Sequence, residues 1–146
     1  MEAIANSLDA NASNIQVDIS IDALDKPDTL RVIITDNGEG FTDERYKKFS
    51  KLLKVDDDTH KGVGRLVYLN YFDRIVVSSK YDGNHRTFTY DNDFDEDHSD
   101  MTVITMDEQI QETSLQFENC SLGRLSSYNV IFPQYLKDKV IGEFFF

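Results

Sequence analysis

The chain has 146 residues, which suits a single domain burying roughly two-thirds of the surface its unfolded form exposes. Fifteen Lys and Arg stand against 27 Asp and Glu, a net charge of −12, which argues against a nucleic-acid or anionic-membrane surface. The lone Cys120 excludes an internal disulfide, no apolar run approaches the roughly 20 residues of a membrane span, and no signal-peptide pattern opens the chain, so the sequence reads as soluble and cytoplasmic.

The first predicted element is a helix over Glu2-Ala3-Ile4-Ala5-Asn6-Ser7-Leu8-Asp9-Ala10. At about 100° per residue, Glu2, Asn6 and Asp9 share a narrow polar stripe. Ile4, Ala5, Leu8 and Ala12 fall roughly opposite and are expected to pack on a sheet. Taken alone, the polar stripe reads equally as the solvated side of an amphipathic helix.

Strict alternation over Asn14–Ile21 predicts a half-buried strand, and Thr29–Thr35 a second strand forming an antiparallel hairpin with it. After the Gly-rich turn Asp36–Phe41, Thr42 or Asp43 can cap a helix carrying Tyr46, Phe49 and Leu53 at helical spacing. Lys54 to Lys61 reads as a mobile polar loop, and Arg65 to Phe72 as a further, buried helix. Strands follow at Asp73–Lys80 and Arg86–Tyr90, joined by a turn at Asp82-Gly83-Asn84, then an acidic loop to Asp100 and a strand at Met101–Met106. Beyond it the pattern weakens, with one helix expected at Tyr135–Ile141. Helices collected with a mostly antiparallel sheet give an α+β two-layer sandwich, with a main domain at 1–108 and 109–146 unassigned.

Two turns carry chemical signals. In Asp36-Asn37-Gly38-Glu39-Gly40 the glycines allow a flat ligand to lie against backbone without meeting a Cβ, and a carboxylate there can accept from an exocyclic amine. Asp-Asn-Gly is also common in ordinary acidic turns. In Lys61-Gly62-Val63-Gly64-Arg65, successive N–H groups at a helix start form an anion nest suited to phosphate. No Walker or Rossmann fingerprint accompanies them. Asp91–Asp97 imitates a calcium loop but has Glu96 where Gly is needed and Thr102 where Glu is needed. His60, His85 and His98 lack zinc spacing.

In this order the stretches resemble the GHKL (Bergerat-fold) ATPases: Glu2-x-x-x-Asn6-x-x-Asp9-Ala10, Asp36-x-Gly38-x-Gly40 and Gly62-x-Gly64, with Thr102 a weaker match to a fourth motif. The resemblance covers about Glu2 to Met106 and implies a mixed, mostly antiparallel sheet covered on one face by helices. It implies ATP as ligand and Mg²⁺ as cofactor, held by Asn6 through its amide oxygen. Asp36, helped by Thr102 through water, would read the adenine amine, and Gly62 and Gly64 would wrap the phosphates with Lys61 and Val63 between and beside them. Glu2 would be the general base activating water, and Asp9 would hold the helix against neighbouring backbone.

The resemblance further implies hydrolysis driving a conformational switch in a larger protein, with dimerisation through flanking regions; the chain reads as cut at both ends. The alternatives are a non-catalytic nucleotide-binding or interaction module and a histidine-kinase catalytic domain. Glu2 and Asp9-Ala10 speak against the kinase, which must avoid activating water.

Overall fold

The strands β1 (Ile15–Ser20) and β2 (Arg31–Asp36) pair antiparallel, with Ile15 opposite Asp36 and Ser20 opposite Arg31. The alternation in Ile15, Val17 and Ile19 turns these side chains to one face, where the partner strand presents Ile34 to the core. The structure, a computed structural model, describes residues 1–51, 68–94, 100–123 and 132–144. The expected loop 54–61, Leu53 and the whole Lys61–Arg65 motif lie outside them.

β3 (Phe72–Tyr81) and β4 (Asn84–Asp91) form a hairpin through the two-residue connection Asp82–Gly83, and β5 (Thr102–Thr105) extends it at the edge. The two hairpin systems are joined by β6 (Glu112–Cys120), which inserts between β2 and β3. The sheet order is β1-β2-β6-β3-β4-β5 and all five pairings are antiparallel, so no parallel pair makes the sheet mixed among the described strands. A strand beyond residue 108, in the stretch of weak pattern, therefore lies at the middle of the sheet. Only Leu115 and Phe117 give β6 its apolar side, with Thr113 the third inward position, too few for the periodicity to stand out.

One face of this sheet is apolar. Ile75, Val77, Phe88, Tyr90, Leu115 and Phe117 are all buried there, while Ser78, His85, Ser114 and Gln116 alternate to the other side. α2 (Asp43–Lys51) docks on the apolar face, starting where the Thr42 hydroxyl accepts the Arg45 N–H at 3.3 Å, an N-cap bond. Tyr46 and Phe49, three residues apart, enter an edge-to-face aromatic cluster with Phe41, Phe88, Tyr90 and Phe94. Each such ring pair adds about 0.5–1.5 kcal/mol beyond its area burial.

α1 (Glu2–Asp9) packs by a different stripe from the one its apolar residues suggest. Ala3 and Ser7 are 3% and 2% exposed, whereas Ile4, Ala5, Leu8 and Ala12 remain half-buried. The small side chains let the helix backbone approach the sheet closely, and the Ser7 hydroxyl meets a buried carboxylate there. Shape and one hydrogen bond thus outweigh bulk hydrophobicity in orienting the helix.

Of the helix expected at Arg65–Phe72, Tyr68 and Leu69 carry helical backbone; Phe72 is already in β3, opposite Cys120, and packs on Phe117. α3 (Pro133–Phe144) contains the expected Tyr135–Ile141, begins on the proline that suits a first helical position, and buries none of its residues. No helix among the described residues is long and apolar enough to cross a membrane.

Candidate functional site

The turn Asp36–Gly40 is stitched to α1 and to the sheet residue by residue. Asp36, 6% exposed at the end of β2, accepts the Ser7 hydroxyl on Oδ2 at 2.7 Å and the Gly38 N–H on Oδ1 at 2.9 Å. Asn37 Oδ1 accepts the backbone N–H of Ser13 and Asn14, at 3.0 and 2.8 Å. Glu39 donates its N–H to the Ala10 carbonyl at 2.9 Å. Its carboxylate accepts Asn11 Nδ2 at 2.6 Å on Oε1 and Arg45 Nη2 at 2.6 Å on Oε2. The Arg45 hydrogen bond, then that of Asn11, then the Arg45 charge hold the Glu39 carboxyl below the usual carboxylate range.

The glycines serve this stitching. A Cβ on Gly38 would stand 2.7 Å from the Ala10 carbonyl oxygen and 2.9 Å from its Cβ, so its absence admits the end of α1. Gly40 has φ +74°, and a Cβ there would lie 2.7 Å from Ser79 Oγ. Both bare positions therefore face protein, not an open ligand surface as the turn alone suggested. Beneath Gly40, the Phe41 N–H donates to Ser79 Oγ at 2.8 Å, and Ser79 Oγ bonds Thr113 Oγ1 at 2.8 Å. Arg86, 3% exposed, locks the exit of the turn. It donates to the Phe41 carbonyl and to Asp43 Oδ1 while lying over the rings of Tyr46 and Tyr81 at 4.8 and 5.4 Å.

Between α1, α2 and the sheet these residues leave a cavity of about 180 Å³. Ile75, Val77, Leu115 and Phe49 supply apolar walls; Asp36, Ser7 and Thr113 bring polar atoms inside; Asn6, Asp9, Arg45, Lys48 and Tyr68 add polar lining. An apolar slot with a few convergent polar groups suits a flat heterocycle bearing a hydrogen-bond donor. Asn6 is exposed and gives its amide N–H to Tyr68 Oη at 3.0 Å, which leaves its oxygen as the group available to a hard cation.

Of the residues singled out from the sequence, Asn6, Asp9, Asp36 and Gly40 line this cavity together. Gly38 supports it from behind, through Ala10 and Asp36. Glu2 stands exposed in the first turn of α1, one turn before Asn6, and does not line it. Thr102 is not brought there: it is exposed on edge strand β5, bonded to Thr87 Oγ1 at 2.7 Å, three strands from β6. The threonine opposite Asp36 is Thr113, on the strand the sequence reading missed. Lys61, Gly62, Val63 and Gly64 lie outside the described residues. Ser7, Arg45, Lys48 and Tyr68 were also missed; the Ala3–Ser7–Ala10 spacing of small residues was the available signal for the first.

The model of histidine kinase-, DNA gyrase B- and HSP90-like ATPases matches residues 1–123. Among solved structures, the topoisomerase IV ATP-binding domain of Francisella tularensis aligns at TM-score 0.61 and 19% identity, over 97% of this chain and 71% of that one. The 43K ATPase domain of Thermus thermophilus gyrase B aligns at TM-score 0.57 and 16% identity, over 95% of this chain and 37% of that one. The ATPase region of Saccharomyces cerevisiae topoisomerase II aligns at 0.52 and 12%, over 81% and 36%. At these identities the structures speak for the fold, an α+β Bergerat-type sandwich. No curated protein sequence matches the chain significantly.

Proposed function

Because the chain belongs to the family of histidine kinase-, DNA gyrase B- and HSP90-like ATPases, we propose that its cavity binds ATP with Mg²⁺ and that slow hydrolysis drives a conformational switch in a larger protein. The observation that carries this reading is the Asp36 carboxylate, buried at the cavity with one hydrogen bond already on each oxygen. Each oxygen of a carboxylate keeps a second acceptor site, and a carboxylate has no proton to donate. It therefore suits the adenine amine and opposes the guanine carbonyl. Thr113, opposite Asp36 in the register, takes the supporting place first given to Thr102.

The residues fit the ion. Asn6 presents an amide oxygen, and among the described residues no three His, Cys, Asp or Glu side chains converge. Mg²⁺ is commonly held by one or two protein oxygens, with phosphate and water oxygens completing the shell. When bound, the ion neutralises phosphate charge; Asn6 positions it, and Glu2 takes the proton of the attacking water. Lys61, Gly62, Val63 and Gly64 are proposed to wrap the phosphates. The nucleotide-binding unit takes in β6 as well as residues 1–108, since β6 joins the two halves of the sheet. The chain spans only 37% of the gyrase B ATPase chain, so the switch belongs to a longer assembly of parts.

A binding-only module is the second reading, favoured by the exposure of Glu2 away from the cavity. Two measurements separate them. Calorimetry should show ATP binding strengthened by Mg²⁺, with that dependence lost in Asn6→Ala; an unchanged dependence would remove Asn6 as ligand. Phosphate release should fall roughly 10²-fold or more in Glu2→Gln with ATP affinity kept, as for loss of a general base. Equal turnover would assign the base elsewhere, and no turnover in either would leave the binding module.

A further inference from the structure

Two cations from α2 line the cavity, and they are not equivalent. Arg45 is committed: its Nε and Nη2 donate to Glu39 Oε2 at 3.1 and 2.6 Å, and Nη2 also reaches the Asp9 carbonyl at 3.3 Å. Its charge is largely spent on a neighbouring carboxylate, and its position is fixed between the turn and α1. Lys48 follows three residues later, on the same side of the helix, and also lines the cavity. It is exposed, and among the described residues no carboxylate pairs with it.

Several neighbouring side chains of α2 are engaged elsewhere or point away from the cavity. Tyr46 and Phe49 enter the aromatic cluster, and Ser50 returns its hydroxyl to the Tyr46 carbonyl at 2.9 Å. Lys47 is exposed and does not line the cavity. A polyanionic ligand approaching a chain of net charge −12 is repelled overall, so a local cation at the cavity must offset that field. The carboxylates lining the cavity, Asp9 and Asp36, add to the same repulsion. An ammonium on a flexible stem, with three donors and no partner among the described residues to give up, suits phosphate oxygens.

We infer that Lys48 contacts the phosphate groups of the bound nucleotide, a role that rests on the ATP reading above. It is a binding residue contributed by α2, outside the three motifs. The contact acts on the phosphates and leaves recognition of the base to Asp36.

The test is calorimetry of ATP and of adenosine on the full chain and three variants, Lys48→Ala, Lys48→Arg and Lys47→Ala. All are exposed positions, so folding is preserved, and Lys47→Ala makes the same change in net charge one residue away. Lys48→Ala should weaken ATP about tenfold, the order of one charge-assisted hydrogen bond, while adenosine changes less than about twofold. Lys48→Arg should recover most of the loss, and Lys47→Ala should leave both ligands within about twofold. Equal effects of the two alanine variants on ATP would overturn the contact in favour of general charge. Equal loss of ATP and adenosine in Lys48→Ala would overturn it in favour of a packing role. A parent chain that binds adenosine but gains nothing from the phosphates also overturns it, whereas one that binds neither refutes the ATP reading itself.

Discussion

Removing the Ser7 hydroxyl isolates what holds Asp36 in place. Ser7 and Asp36 are 2% and 6% exposed, and the bond between them is 2.7 Å long. Ser7→Ala leaves Oδ2 of a buried carboxylate without its donor, and a hydrogen bond to a charged group contributes about 1.5–3 kcal/mol. A loss of about 2 kcal/mol changes the folded-to-unfolded ratio roughly 30-fold, a large share of a domain's stability. In an Asp36→Ala background the same substitution should lose only about 0.5 kcal/mol, because the Ser7 hydroxyl then has only the Ala3 carbonyl, 3.1 Å away within its own helix. The coupling between the two positions is therefore about 1.5 kcal/mol. Urea denaturation of the parent, the two single variants and the double variant measures it. If Ser7→Ala loses the same amount in both backgrounds, the bond contributes nothing and α1 is held by its packing and its other hydrogen bonds.

Further predictions concern the same turn. Gly38→Ala should destabilise by about 1–3 kcal/mol, because the new methyl meets Ala10 backbone at 2.7 Å, while Gly142→Ala, where a Cβ meets nothing beyond its own stretch of helix within 4 Å, should lose nothing; thermal or urea unfolding of the pair checks this. Glu39 has its carboxyl lowered by Arg45 and Asn11, so its contribution is fully present above its ordinary value of 4.5 and is lost as pH falls through the lowered folded value. Glu39→Gln should therefore flatten the acid limb of a stability-against-pH curve below 4.5 and leave neutral pH nearly unaffected in slope; an unchanged acid limb would show that the Arg45 pair is not linked to folding.

Much of this was legible where local pattern and turn chemistry agree. The alternation of Ile15 to Ile21 and the Asp82–Gly83 turn announced two hairpins, and Tyr46 and Phe49 announced the buried side of α2. Asn6 and Asp36, 30 residues apart, were paired through motif resemblance, and the structure brings both to one cavity. What escaped the sequence was set by long-range contact. Nothing local marks Thr113 as the residue opposite Asp36, since β6 joins β2 only after the chain has built β3, β4 and β5. Thr102 has the right chemistry within a clear strand, but that strand is the far edge of the sheet. The packed side of α1 was misread because small residues, Ala3 and Ser7, carry a weaker hydrophobic signal than Ile4 and Leu8 while permitting the closer approach.

The central claim is that Asp36 reads an adenine amine, and nucleotide competition on Asp36→Ala tests it most directly. A guanine carbonyl facing the carboxylate leaves two acceptors opposed in a desolvated slot, a penalty of about 1–3 kcal/mol or at least several-fold in affinity. The parent chain should bind ATP at least several-fold more tightly than GTP, and Asp36→Ala should weaken ATP far more than GTP, erasing the preference. Equal loss of both nucleotides, or of neither, would contradict the account and return Asp36-Asn37-Gly38 to the role of an acidic turn that only ties α1 to the sheet.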